Sequence, residues 1–421
     1  MTQPNKIDAP DFQVQILVPT SLSNEGEPAS CDSRGLGCVL ERMQLLPLEP
    51  FNAPTLTFLH EFSKALLLEK EPELKALGFW LRKSQVVKWQ KEYESSLEKD
   101  AENHIFRFPL GRILHFTPAN VDTMFVYSWV CALVLGNINV LRLSRQTSFV
   151  KQRLLSMINT LFQKPQFNAL SERNIFITYE HQAHITSALS SLSDARILWG
   201  GDEAVNQIRS VPAKPKTRDI GFSDRYSVAV INGEKLTSNH ELAEVAEKLW
   251  RDIQPYQQQA CSSPKVLFWL GDDSQKNALA QALNQLAEMY QAPELTRKNE
   301  HLVTTQLIQS QSKEINILLS EHLCILELPT FSPEKLNWHA GNGLLYVVDV
   351  ASLDDAIESV DERCQTLIYW GIDRQLWVKL MQQSPIISLD RIVPLGQALD
   401  FNVIWDGFDL MEQLQRKITI L

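Results

Sequence analysis

The sequence has no long apolar run, no basic block and no glycine-rich phosphate signature, and each absence removes a class of function. The longest apolar stretch, about Val121 to Leu135, contains Asp122 and falls short of the ~20 residues that a membrane-spanning helix needs. No membrane span is therefore expected. Net charge is -10 over 421 residues, which argues against nucleic acid as the main partner but leaves room for a local basic pocket. The first residues, Met1 to Lys6, are polar and form no apolar leader segment, so a cytoplasmic location is expected. Neither Gly-x-Gly-x-x-Gly nor a Walker loop occurs, so any nucleotide cofactor is held by other means. Cysteine is sparse, with six residues scattered along the chain. Only Cys31 and Cys38 are close. No matching Cys/His pair follows them, so they read as reduced structural cysteines rather than half of a metal site. No repeat, low-complexity tract or flexible linker is visible.

What is present is an ordinary globular composition, 44% hydrophobic and 21% charged, in a chain long enough for two or three sub-domains. Residues 1–50 mix proline, glycine and short alternating runs such as Phe12 to Val18. They read, up to about residue 75, as an N-terminal extension with one or two strands. Residues 55–100 are helical and amphipathic, with Leu59, Phe62, Leu66 and Leu67 on one face.

From residue 105 the pattern becomes α/β. Apolar strands are expected at Arg112–Phe116, Asn139–Leu143, Ile175–Thr178, Ala195–Trp199 and Tyr226–Ile231. Helices fall between them at Asp122–Leu135, Ser148–Phe162, His181–Leu192 and Asp202–Arg209. Such alternation marks a mostly parallel sheet, which binds ligands at the carboxyl ends of its strands. A second α/β block begins near Glu241, with a helix at Ser274–Tyr290, strands near Leu323–Leu328 and Leu344–Val348, and a helix near Leu353–Glu362. The expected organisation is a Rossmann-type cofactor domain over 76–235, a catalytic domain over 236–389 and a β-rich tail over 390–421. That tail returns to the cofactor domain or serves an oligomer interface.

The most informative stretch runs from Asp252 through Gln258-Gln259-Ala260-Cys261-Ser262-Ser263-Pro264. A helical pattern precedes it and the strand-like Val266–Leu270 follows. Cys261 thus lies on a polar connection where a nucleophilic thiol can meet a substrate. Cysteine is also commonly a small buried hydrophobe, and the local sequence leaves both readings open.

Three further elements place small or polar residues near expected strand ends. They are Pro118-Ala119-Asn120, Gly136-Asn137 running on to Arg142 and Ser144, and Trp199-Gly200-Gly201-Asp202. Together with Gln259-Ala260-Cys261 they resemble the aldehyde dehydrogenase superfamily. The match is sharper to its acyl-CoA reductases of the LuxC type, through Ile197–Ala204, Gln258–Pro264 and Asp390-Arg391-Ile392-Val393-Pro394-Leu395-Gly396 running on to Trp405-Asp406-Gly407. The likeness covers roughly residue 75 onward.

This resemblance implies an aldehyde-dehydrogenase-like fold and NADPH-dependent reduction of a fatty acyl thioester to an aldehyde through S-acyl-Cys261. It implies Asn120 as an oxyanion donor and Gly136, Asn137, Gly200 and Gly201 as cofactor-binding residues. It also implies a fatty acyl-CoA or acyl-protein donor, a transferase or acyl-protein synthetase as partner, and a homo-oligomer. Taken alone, Asn120 reads first as a turn-stabilising residue before a helix, since Asn is a favoured N-cap. NAD-preferring relatives carry Lys and Glu where this chain has Arg142 and Arg145. Arginine pairs with a 2′-phosphate, which favours NADPH; Arg145 otherwise begins a solvated helix start. The general-base Glu of the hydrolytic enzymes falls in Asp219-Ile220-Gly221, leaving only Asp219, either a weaker base or a surface carboxylate.

His115 lines a cleft or is structural, and His181 and His184 find no metal partners. Phe125, Tyr127, Trp129 and Trp370 line an acyl channel or fill the core. Trp405-Asp406-Gly407 packs against a subunit or closes a hairpin. Two other readings stand beside the leading one. One is a cysteine-dependent relative acting on a short or polar acyl donor; the other is a non-catalytic acyl-binding scaffold.

Overall fold

The computed structural model describes residues 14–20, 30–31, 33–180, 182–290, 294–311, 315–320, 322–383 and 389–421. The chain divides into two compact units, Met1–Ser223 with Phe408–Leu421, and Asp224–Gly407.

The first unit holds strands β1 (Val14–Val18), β2 (Ser30–Cys31), β3 (Ile105–Pro109), β4 (Arg112–Phe116), β5 (Ile138–Arg142), β6 (Asn174–Thr178), β7 (Ala195–Trp199) and β8 (Arg218–Phe222). Seven of them form one sheet in the order β2-β1-β6-β5-β4-β7-β8. Strands β6, β5, β4, β7 and β8 are mutually parallel, while β1 joins β6 antiparallel. Strands β6 and β7 are buried along their whole length, as expected where helices cover both faces of a sheet. Strand β3 stands apart and pairs antiparallel with the tail strand Gln415–Thr419.

The expected N-terminal extension is instead integral to this unit. Strand β1 is a member of the sheet. The helical block is three helices, Ala53–Leu67, Pro72–Trp80 and Lys83–Ala101, with Pro72 opening the second. Phe58 and Phe62 of the first helix pack on Trp129, at centroid distances of 5.8 and 6.4 Å. Phe125, Tyr127 and Trp129 are buried core residues.

The second unit holds β9 (Tyr226–Asn232), β10 (Pro264–Leu270), β11 (Asn316–Leu319), β12 (Cys324–Glu327), β13 (Leu344–Asp349), β14 (Cys364–Trp370) and β15 (Arg391–Pro394). Their order is β11-β12-β13-β10-β9-β14-β15, parallel throughout except for β11. Strand β9, which sequence order groups with the first block, is hydrogen-bonded between β10 and β14 and so belongs to this second sheet.

Alternation along β9 and β10 divides the second core. Ala229, Ile231, Leu267 and Trp269 face the helices Asn239–Ile253 and Asp273–Tyr290. Val228, Val230, Val266 and Phe268 face the side covered by Ile308 and Trp377, from helices Leu295–Gln311 and Arg374–Gln383. Among the described residues no helix is long and apolar enough to cross a membrane.

Candidate active site

Cys261 follows a backbone that L-residues seldom adopt. Helix Asn239–Ile253 ends, and Tyr256, Gln257 and Gln258 then take φ of 53°, 54° and 61°. Left-handed non-glycine residues cost about 1–3 kcal/mol each and persist only where their surroundings enforce them. Gln258 supplies that enforcement. Its fully buried amide donates to Pro264 O (2.8 Å) and Leu344 O (2.9 Å) and accepts from Gly343 N (3.0 Å). Asn342 N donates to Gln257 O at 2.8 Å. Gly341 closes the clasp, since a Cβ there would sit 2.6 Å from Gln259 Nε2 and 2.9 Å from Gln257 O. Ser227 Oγ donates to the Cys261 carbonyl at 2.6 Å, tying the cysteine to β9.

The thiol sits at the amino edge of the second sheet. Pro264 pairs with Ser227, Ser227 with Thr366, and Thr366 with Arg391, which is one row across β10, β9, β14 and β15. Arg225 and Asp390 form an ion pair of 2.7 Å at the same edge. The Arg391 guanidinium lies 4.4 Å over the Trp405 ring and donates to Ala398 O at 3.1 Å. Asp252 accepts from Gly396 N (2.6 Å) and Ala398 N (3.0 Å). The cysteine stretch and the Asp390–Leu399 stretch, matched separately in the sequence, are therefore bonded to each other.

Cys261 is half-buried. Burial pushes its thiol up to about 12, the Asp406 carboxylate adds to the rise, and Arg391 opposes it. The thiolate is the reactive form, so this cysteine rests as a thiol and needs a proton acceptor to attack. Lys265, on β10 and within electrostatic reach of Cys261, is lowered by burial.

In the first unit Asn120 follows β4 at the carboxyl end and is exposed. Arg142 ends β5, donates to Tyr179 O at 3.5 Å and lies 5.6 Å from the Tyr179 ring centroid. Arg145 is exposed and ion-paired with Glu180, so its charge is shared before any ligand arrives. Sequence reasoning missed Lys151 here. It is buried, and its ammonium donates to Ser144 O (2.7 Å), Ser144 Oγ (3.0 Å) and Gln146 O, bracing the turn that carries Arg145. Its signal in the sequence was a lysine three residues after the N-cap Ser148.

Gly201 is the N-cap of helix Asp202–Arg209, and a Cβ there would meet nothing within 4 Å. Gly200, just before it, would meet only Ala204 Cβ at 3.4 Å. The first turn of that helix carries Asp202 and Glu203, so this corner offers close backbone approach rather than positive charge. Arg142 and Arg145, at and just beyond the carboxyl end of β5, have the charge and donor geometry that a cofactor phosphate would need, with Lys151 bracing the turn between them and the next helix.

Two expected cofactor residues lie elsewhere. Gly136 and Asn137 precede β5 and so mark its amino end, opposite Arg142. Gly136 has φ 75°, and a Cβ would collide with Leu48 O at 2.1 Å. Asn137 is buried, accepts from Gly111 N (2.8 Å) and donates to Leu414 O (3.1 Å) and Ala132 O (3.3 Å). Their work is to join the helix, the strand and the tail.

Asp219 grips the buried Arg196 at 2.7 and 2.6 Å, the two being register partners on β7 and β8. It is a structural carboxylate. His115 is buried between Ser128 Oγ and Asn139 Oδ1, both at 3.2 Å, and burial lowers it to about 4. It lines no cleft. His181 lies outside the described residues, and His184 is exposed. No group of three or more metal-ligating side chains occurs among the described residues.

The sequence profile of the acyl-CoA reductase (LuxC) family matches residues 90–417. The chain belongs to that family. It is 24% identical over 332 residues to the long-chain acyl-protein thioester reductase of Photorhabdus luminescens, a match covering 76% of this chain and 65% of the relative's length.

Solved structures of similar fold include methylmalonate-semialdehyde dehydrogenase from Oceanimonas doudoroffii. It is 14% identical, with a TM-score of 0.66 over 99% of this chain and 96% of that one. Another is glyceraldehyde-3-phosphate dehydrogenase GapN from Methanocaldococcus jannaschii complexed with NADP. It is 13% identical, with a TM-score of 0.64 over 98% of this chain and 99% of that one. The fold of this LuxC-family chain is thus the aldehyde-dehydrogenase-like α/β fold expected from the sequence.

Proposed function

We propose that this chain reduces a long-chain fatty acyl thioester to the aldehyde, with NADPH as reductant and an S-acyl-Cys261 intermediate. The observation that carries this reading is the clamped Cys261, a half-buried thiol in a family of acyl reductases, aimed by a left-handed backbone that the protein stabilises at a cost. The Cys261 sulfur attacks the thioester carbonyl carbon, and collapse of the tetrahedral oxyanion expels the donor thiol. Asn120 is the side-chain donor assigned to that oxyanion, a role usually worth about a hundredfold or more in rate. NADPH, when bound, supplies the hydride that brings the acyl carbon to the aldehyde level. Arg142 and Arg145 are its 2′-phosphate partners, Lys151 holds their turn, and Gly200 and Gly201 give its phosphates backbone access. Asp219, the place of a hydrolytic base, is committed to Arg196, which suits reduction better than acid formation.

The Photorhabdus relative is named for acyl-protein thioesters, which favours a protein-bound acyl donor over free acyl-CoA. A transferase or acyl-protein synthetase that presents the acyl group, and a homo-oligomeric enzyme, belong to the same reading. The test is incubation with radiolabelled acyl-CoA and, separately, with an acylated carrier protein. Hydroxylamine-labile label should map to Cys261, be absent in Cys261→Ser, and discharge as aldehyde when NADPH is added. Label mapping to another residue, or equal label in Cys261→Ser, would overturn the assignment.

A further inference from the structure

The reading above leaves a buried carboxylate unused. Asp406 is 7% exposed, and its Oδ1 has no hydrogen-bond partner among the described residues. It has φ 49°, a left-handed non-glycine conformation, between two residues that fix its place. On one side the Trp405 ring lies under the Arg391 guanidinium. On the other, Gly407 has φ 71° and packs so closely on Asp390 that a Cβ would lie 2.7 Å from its Oδ1. Arg391 belongs to the residue row that runs through Thr366 and Ser227 to Pro264, and Ser227 also holds the Cys261 carbonyl. The turn therefore lays Asp406 over the sheet edge from which Cys261 springs. Ser263 Oγ and Thr366 Oγ1, on the same edge, are likewise buried without hydrogen-bond partners among the described residues.

We propose that Asp406 is the proton acceptor for Cys261 and the proton donor to the departing thiol. This rests on the proposed acyl-transfer step. In that step the Cys261 S–H bond breaks and its proton passes to the Asp406 carboxylate. The freed electron pair on sulfur forms the bond to the acyl carbon. Collapse breaks the bond from that carbon to the donor sulfur, which takes the proton back from Asp406. Acyl transfer thus begins and ends with Asp406 ionised, and no outside base is consumed.

The electrostatics agree. Burial raises Asp406 to about 7, with Asp390 adding to the rise and Arg225 and Arg391 opposing it. The ionised Asp406 itself opposes formation of the Cys261 thiolate. Moving the proton between them removes that opposition. Arg391 and Lys265 are the other charged groups facing the thiol.

The test is the pH dependence of Cys261 alkylation by iodoacetamide, quantified on the Cys261 peptide, alongside the rate of acyl transfer from acyl-CoA. With Asp406 as acceptor, alkylation rises through about pH 7, levels off, and rises again only in strong alkali. Asp406→Asn tolerates the left-handed backbone and should lose the plateau, leaving a rise of about tenfold per pH unit. Its acyl-transfer rate should fall by about a hundredfold or more, with partial recovery in Asp406→Glu.

A parent enzyme without a plateau, or an Asp406→Asn variant that keeps both plateau and acyl-transfer rate, would overturn the proposal. If a variant fails to fold, the profile of the parent still decides. The alkylation arm needs no substrate, so absent acyl labelling would count against the reductase reading alone.

Discussion

The two seven-stranded sheets of this molecule are both mostly parallel, yet the site residues proposed for them lie at opposite ends. In the first, Asn120, Arg142, Arg145, Gly200 and Gly201 all follow the carboxyl ends of strands. In the second, Cys261, Arg225, Asp390 and Arg391 precede or open strands, at the amino edge. Carboxyl-end loops are the usual ligand sites of an open α/β sheet. The amino edge instead offers short connections locked by side-chain amides and carboxylates, as Gln258 and Asp252 show. On the proposed reading, the first end admits a large ligand and the second holds a single atom still.

Breaking the clamp of the second sheet gives the largest expected effect. Gln258→Ala removes three buried hydrogen bonds, one accepted from the Gly343 N–H and two donated to the Pro264 and Leu344 carbonyls. It should lower stability by about 3 kcal/mol in urea unfolding, at roughly 1 kcal/mol for each bond lost. Its acyl transfer should slow even where the protein is folded. Unchanged stability and rate would show that the clasp is ornamental.

Acid sharpens the comparison from the first sheet. Folded His115 is held near 4, whereas an unfolded histidine titrates near 6.5. Between those values the unfolded chain binds the extra proton, so stability is full above about pH 6.5 and falls as pH drops toward 4. The loss approaches about 3 kcal/mol. Urea midpoints of the parent and of His115→Leu across this range should differ in slope, the variant being flatter.

The smallest effect separates the two ends of β5. Arg145→Ala should raise KM for NADPH severalfold and leave KM for NADH unchanged. Asn137→Ala should lower stability without altering either KM. An Asn137 variant that loses NADPH binding would return that residue to the cofactor site.

Much of this layout was legible in the sequence. Arg112–Phe116 and Ala195–Trp199 are strands to the residue, because compact apolar β-formers bounded by polar turns specify them locally. Strand β14 and the helix Arg374–Gln383 were not foreseen. Gln365 and Thr366 interrupt the apolar run that β14 begins, and its place beside β9 depends on pairing with a strand 138 positions earlier (Cys364 with Tyr226).

The reassigned residues share one cause. Asp219 is structural because Arg196 faces it across the neighbouring strand, a register that no local pattern reveals. Gly136 and Asn137 sit at the amino end because β5 begins immediately after them. The Asp390–Leu399 and Asp406 motifs were visible as strings. Their convergence on Cys261 needed the row of partners across four strands.

The bond from Ser227 to the Cys261 carbonyl has a consequence for the order of events. If Cys261 is the nucleophile proposed above, its main chain is tied to strand β9 and cannot swing out to collect its cargo. On the proposed reading, the acyl carbonyl has to be brought to a sulfur whose main chain stays where the sheet holds it. Discrimination among donors is then set by what can deliver a carbonyl carbon to that fixed point, and substitutions remote from Cys261 should alter which donor is accepted while leaving the sulfur chemistry intact.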